Sequence, residues 1–191
     1  LGMRRVPTAL SFQTIKSGDS LSQGSAQYDG IMSWSTFEHV RRDQLALILE
    51  DLHACLRPGG YFFIQIEPLY CSAYGSHLRR YDETPWHHLL ATEDELWKVI
   101  EAHQGPIDPA EVDFGFADFG VEGYKRFVFN EYKALNRLTA DELVAFAQSA
   151  GFNVAREERR SLDISPPDSL LAQYPRDWLT NNEIFLLLRK G

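Results

Sequence analysis

Cysteine is nearly absent from this chain: Cys55 and Cys71 are the only thiols among 191 residues. Two thiols without a short spacing make neither a zinc ligand set nor a disulfide framework, and they suit a reducing compartment. Basic residues are in deficit, with 19 Lys and Arg against 27 Asp and Glu and a net charge of −8. A field of that sign repels phosphodiesters and anionic lipid, which argues against a nucleic-acid or membrane partner. A local basic cluster such as Arg156, Arg159 and Arg160 does not change the balance and reads as a solvated strand edge. Long apolar runs are missing too: Ile184–Leu188 falls far short of the roughly 20 residues a spanning helix needs. The opening residues lack the basic-then-apolar pattern of a secretory leader, so a soluble, cytoplasmic protein is expected. No Gly-x-Ser-x-Gly elbow is present, since Gly24-Ser25 and Gly75-Ser76 lack the flanking glycines, which disfavours a hydrolase.

What is there alternates strand and helix. Ala9 to Lys16 reads as a strand closed by the turn Ser17-Gly18-Asp19-Ser20, and Tyr28 to Trp34 as a short buried strand. Asp43 to Leu56 is the clearest helix. Leu45, Ile48, Leu49, Leu52 and Cys55 make one continuous face, with Asp43 placed to cap the start and Arg57-Pro58-Gly59-Gly60 to stop it. Tyr61 to Ile66 follows as a strand apolar on both faces, the pattern of a central parallel strand. Between Pro68 and Leu138 the texture shifts to aromatics, Pro and Gly, with one helix started by a Thr92/Glu95 capping box. That stretch is too long for an ordinary connection. A second capping box, Thr139/Glu142, opens a helix that Gly151 ends, and the strands Phe152 to Arg159 and Glu183 to Arg189 complete the pattern. The expectation is an α/β sheet built from residues 1–70 and 139–191, with 71–138 inserted as a mostly helical and irregular cap.

Two segments carry a family likeness. Tyr28-Asp29-Gly30-Ile31-Met32-Ser33-Trp34-Ser35-Thr36-Phe37-Glu38-His39-Val40, followed by Leu56-Arg57-Pro58-Gly59-Gly60-Tyr61-Phe62-Phe63-Ile64, resembles the class I S-adenosylmethionine-dependent methyltransferases. More narrowly, it resembles the bacterial type 11 methyltransferase domain. The likeness covers about residues 9–70 and 138–190 and implies a Rossmann-like sheet, with S-adenosylmethionine as cofactor. It implies methyl transfer to a small-molecule or glycan acceptor.

Site residues follow position by position from the resemblance. Asp19 matches the acid that accepts from the adenine amino group, and Ser20 the position whose amide faces the ring; the bland alternative is a plain Gly-Asp-Ser turn. Ser33, Trp34 and Ser35 match the segment bordering the methionine end of the cofactor and the methyl acceptor, at the carboxyl end of a strand where open α/β sheets bind ligands. Glu38 and His39 form an adjacent acid and imidazole that could deprotonate an acceptor. In the competing reading Glu38 positions the loop and His39 packs at its rim. His77 is a third candidate base within an acceptor-facing wall that also holds Tyr70, Tyr74, Tyr81 and His87. No metal is expected, because Ser35 stands where a metal-binding branch has a glutamate and the histidine spacing fixes no coordination geometry.

The family's glycine-rich first loop and its ribose-binding acid have no counterpart ahead of Ala9. Two βα units, about 60 residues, would be needed to supply them. The expectation is therefore a domain incomplete at its amino-terminal half. Cofactor binding by this chain alone would be weakened by several hydrogen bonds of about 1–3 kcal/mol each. Such a chain would pair with a missing half or with a second copy, or else serve as a non-catalytic interaction module.

Overall fold

The computed structural model describes residues 20–21, 28–105 and 120–191. The Ala9–Lys16 strand and Asp19 therefore lie outside the described residues. Among those described, the chain order is β1 (Tyr28–Trp34), α1 (Leu45–Cys55), β2 (Leu56–Ile66), α2 (His87–Leu90), α3 (Glu93–Ala102) and α4 (Gly120–Ala134). It continues with α5 (Ala140–Ser149), β3 (Phe152–Ser161), α6 (Asp168–Leu171), α7 (Arg176–Thr180) and β4 (Asn181–Lys190). The sheet order is β1-β2-β4-β3. β1 and β2 run parallel, Met32 opposite Phe63 and Trp34 opposite Gln65. β4 runs antiparallel to both β2 and β3. This is an open Rossmann-like sheet whose last strand inserts between its neighbours.

One face of the sheet carries Phe62, Ile64, Ile66, Ile184, Leu186 and Leu188, all at most 1% exposed. Leu45, Leu49 and Leu52 of α1 and Leu143 and Ala147 of α5 cover it, forming one apolar cluster. Burying side chains of this kind is worth about 1.5–3 kcal/mol each before ordering costs. Lys190 at the end of β4 donates to the carbonyls of His53 (2.8 Å) and Leu56 (2.9 Å), so a cation closes the carboxyl end of α1. Both expected capping boxes form, at Thr92/Glu95 and Thr139/Glu142.

The opposite face is largely bare. Met32 is 73%, Trp34 56% and Tyr61 42% exposed, so β1, at the end of the described sheet, is an exposed strand and not the buried one its sequence suggests. Trp34, Phe63 and Phe185 form a ring cluster with centroids 6.0–6.3 Å apart, and the Arg160 guanidinium lies 4.5 Å over Phe185. β2 is therefore apolar on both faces, as its sequence suggests, while only one of them is packed under helices.

Three local differences from the sequence reading have clear causes. α1 starts at Leu45, after a 3-10 turn over Arg42–Gln44, and has no side-chain cap. Asp43 is drawn instead to Arg41, which donates to it through Nε at 3.0 Å and a terminal nitrogen at 2.6 Å. β2 starts at Leu56 rather than Tyr61, because the Pro58-Gly59-Gly60 stretch is absorbed into a register irregularity opposite Tyr28–Gly30. Gly59 adopts φ +79° there, open to glycine at no steric cost. The 71–138 stretch holds a second long helix, α4, which packs Phe129 and Tyr132 with Leu78, Tyr81, Leu96 and Ile100 in a separate apolar cluster. The Arg156–Arg160 cluster lies on β3, where Arg159 pairs with Asp141 and Glu157, and Arg160 with Glu158 and Glu183.

Candidate active site

The site is built where β1 and β2 both end, at the carboxyl edge of the parallel pair. After Trp34 the chain turns sharply through Ser35, whose φ of +45° is unusual for a residue with a side chain. Gln65 of β2 holds this turn: its carbonyl accepts from the Ser35 amide at 3.0 Å and its Oε1 from the Ser35 hydroxyl at 3.0 Å. Gln65 is buried and donates onward to Glu183 at 2.8 Å.

A 3-10 turn over Phe37–His39 follows. Phe37 drops into the core against Phe62, with ring centroids 5.8 Å apart. Asn136 clamps the backbone beside it. Its Nδ2 donates to the carbonyls of Phe37 (2.5 Å) and Val40 (2.8 Å), and its own amide donates to the Glu38 carbonyl at 3.0 Å. With both neighbours pinned, Glu38 has one place to go, inward. It is only 5% exposed, and neither carboxylate oxygen has a hydrogen-bond partner. Burial pushes its pKa from an ordinary carboxylate value up to about 7, offset in part by the field of its own backbone N–H.

Glu38 lines a small cavity of about 10 Å³, room for about one water, together with Ile66, Pro68, Tyr70, Gly75, His77 and the 135–138 connection. His77 reaches it from a tight turn in which its own φ is +61°. The Pro68 carbonyl accepts a hydrogen bond from the ring, and Nε2 is buried with no partner, so the bonded nitrogen is Nδ1. Burial, with His39 and His88 nearby, holds the His77 pKa down at about 4, so the ring is neutral at pH 7. Nε2 then presents a lone pair. His39 stands edge-on to His77 with centroids 5.3 Å apart, and its Nδ1 lies 3.8 Å from Glu131 of α4. Burial lowers the His39 pKa, with Glu131 opposing. Behind the cavity, buried His88 donates from Nε2 to the Tyr70 carbonyl at 2.7 Å.

Among the residues expected from sequence, the structure brings Glu38 and His77 to one cavity and sets His39 against His77. Ser33 is half-buried in register with Ile64 on the helix-covered face, whereas Trp34 lies on the bare face. Ser20 donates its hydroxyl to Asp51 of α1 at 2.7 Å, on the helical side of the sheet. Sequence reasoning missed Asn136, Gln65 and Gly75. Neither a lone Asn in a connection nor a lone Gln in an apolar strand has a periodic signature. Gln65 nonetheless interrupts a run of apolar residues in β2, a buried polar position that calls for a partner.

A family model described as a methyltransferase domain matches residues 8–157, and the chain belongs to that family. It is a class I, Rossmann-like domain of the kind that uses S-adenosylmethionine. No curated protein shows a significant match. Among solved structures, an S-adenosylmethionine-dependent methyltransferase from Methanosarcina mazei is 16% identical with a TM-score of 0.44, over 90% of this chain and 63% of that one. A possible histamine N-methyltransferase from Thermotoga maritima is 15% identical with a TM-score of 0.43, over 85% of this chain and 56% of that one. A putative sarcosine dimethylglycine methyltransferase from Galdieria sulphuraria is 12% identical with a TM-score of 0.43, over 90% and 56%. The chain thus spans between about half and two thirds of these relatives. Among the described residues, no helix is long and apolar enough to cross a membrane.

Proposed function

We propose that this chain takes part in S-adenosylmethionine-dependent methyl transfer to a small molecule bound beyond the ends of β1 and β2, with Glu38 receiving the acceptor's proton. The observation that carries this is the buried Glu38 carboxyl, which no protein group satisfies and whose raised pKa matches a base working near neutrality. In such a reaction S-adenosylmethionine supplies an electrophilic methyl group, so the protein's part is alignment and proton transfer. The Ser33–Ser35 segment, fixed by Gln65, would border the methionine end of the cofactor. His77 would orient the acceptor through Nε2, and His39 would fix the His77 ring from outside. Residues 71–138 would then be the wall over the acceptor, set on a core of residues 1–70 and 139–191.

The test incubates the full chain with S-adenosylmethionine labelled in its methyl group and a panel of amines, phenols and hydroxy acids. The expected result is release of S-adenosylhomocysteine with one acceptor class. His77→Ala should lower kcat about tenfold while leaving the calorimetric affinity for S-adenosylmethionine unchanged. Turnover that ignores His77 removes it from the site. No binding of S-adenosylmethionine and no product with any acceptor would refute the reading itself.

A further inference from the structure

A second hollow lies between α3 and α4, apart from the Glu38 cavity and sharing no residue with it. It is a groove of about 300 Å³, at the lower end of the range that takes small ligands. Arg126, Phe129, Asn130 and Lys133 line its α4 side, at the i, i+3, i+4, i+7 spacing of a single helical face. Glu93, Asp94 and Trp97, from the first two turns of α3, line the other side. Leu96, Ile100, Phe129 and Tyr132 pack the two helices together beneath the groove, which fixes its walls relative to one another.

The walls carry opposite charge, two carboxylates facing two cations. Among the described residues none of these four side chains has an ion-pair partner, although acids outnumber Lys and Arg by 27 to 19 in the chain. The cations rest on rings instead. The Arg126 guanidinium lies 4.9 Å over Trp97 and the Lys133 ammonium 5.2 Å over Phe129, and the two rings are 5.3 Å apart at the floor. The negative face of each ring attracts its cation, which keeps both positive charges on the α4 side.

We propose that this groove binds a short ω-amino acid, its ammonium at Glu93 and Asp94, its carboxylate at Arg126 and Lys133, and its methylene chain along Trp97 and Phe129. Helices packed through their side chains run about 8–10 Å apart, so a ligand that answers both walls must carry its charges at the two ends of a chain. An α-amino acid, with both charges on one carbon, reaches only one wall. A simple anion meets the field of a chain of net charge −8, and a simple amine leaves Arg126 and Lys133 unanswered; a molecule of zero net charge avoids both. Asn130 stands between the two cations along α4 and adds an amide donor for the carboxylate. Exposed charge contacts are individually weak, so specificity rests on both ends being met at once.

The experiment titrates the full chain by calorimetry at pH 7.5 with ε-aminocaproate, hexylamine, hexanoate and glycine. The first joins both charges through a chain. Hexylamine and hexanoate each keep one charge on a chain of like length, and glycine keeps both charges without the chain. ε-Aminocaproate should bind at least tenfold more tightly than any of the other three. Arg126→Gln combined with Lys133→Gln should weaken it at least tenfold and leave hexylamine unchanged. Glu93→Gln combined with Asp94→Asn should weaken it as much without weakening hexanoate. All four positions are exposed, so both variants should keep the parent melting temperature to within a few degrees. Hexylamine or hexanoate binding as tightly as ε-aminocaproate, either double variant binding it at parental strength, or no heat from ε-aminocaproate at all overturns the proposal. The methyl-transfer reading depends on none of these results.

Discussion

Glu38→Gln is expected to melt higher than the parent chain at pH 8.5 and no higher at pH 5. Folding raises the Glu38 pKa from its ordinary value near 4.5 to about 7, so the folded state holds this proton more tightly than the unfolded state does. The associated stability is complete below pH 4.5 and is lost as pH rises through 7. A shift of that size corresponds to about 3 kcal/mol. For a chain of this length that is on the order of 5–10 °C in Tm. Glutamine keeps the shape and cannot ionise, so the variant escapes the loss. His77 and His88 work in the opposite direction: their pKa values are held down near 4, and their contribution is lost as pH falls below about 6.5. Both chains share that acid loss, and it cancels in their difference. Melting curves every half pH unit from 5 to 9 provide the check, and a gap that fails to widen with pH contradicts the buried-carboxyl account. The same variant should lose about a hundredfold in kcat, in the range of a removed general base. A more stable and less active protein is the signature of a group kept for chemistry at the expense of folding.

Among glycine-to-alanine changes in the described structure, Gly75→Ala should have the largest effect. A Cβ at this position would lie under 3.0 Å from the carbonyl oxygen and carbon of Tyr70 and from the carbonyl oxygen of Leu69. All three are backbone atoms, so no side chain can swing aside, and the turn that carries His77 must open. The expected cost is at least 3 kcal/mol, read as a fall in the urea midpoint, with acceptor binding lost as His77 leaves the cavity. Gly30→Ala is the matched control. Its Cβ would meet only the Tyr61 carbonyl oxygen at 3.8 Å, an ordinary contact, and the change should stay within about 1 kcal/mol. Equal midpoints for the two variants would remove the close approach of residues 70 and 75 as a structural constraint.

Much of the sheet was legible because local signals agreed with one another. Tyr28–Trp34 is a strand with the limits its sequence suggests, both Thr-x-x-Glu boxes start helices, and the Leu45-Leu49-Leu52-Cys55 stripe is the buried face of α1. The antiparallel sense of β4 was not legible, since Ile, Phe and Leu in alternation read the same in either direction. Nor was α4. Its buried face of Tyr124, Phe129 and Tyr132 is aromatic and interrupted by charge, and Lys125 is buried beside it, donating to the Glu101 carbonyl at 2.8 Å. A stripe of that kind scores poorly as a helix until its packing partner is known. At the site, Glu38, His39 and His77 could be nominated from residue type and family likeness. What isolates the Glu38 carboxyl depends on Asn136, nearly a hundred residues away, and such long-range clamps leave no periodic trace. The bounds of β2 shifted for a related reason: the pairing partner around Tyr28, rather than the propensity of Pro58-Gly59-Gly60, decides where the ladder begins.

The tilted stack of Trp34 on Phe63 gives the chain an optical reporter of its own. With 56% of its surface in water, this indole emits at long wavelength and is open to acrylamide, whereas Trp86, at 2%, is shielded. It stands one residue ahead of the Ser35 turn, so a molecule settling against that turn shades it from the quencher. Occupancy can therefore be followed by fluorescence alone, with Trp34→Phe as the blank and no label attached.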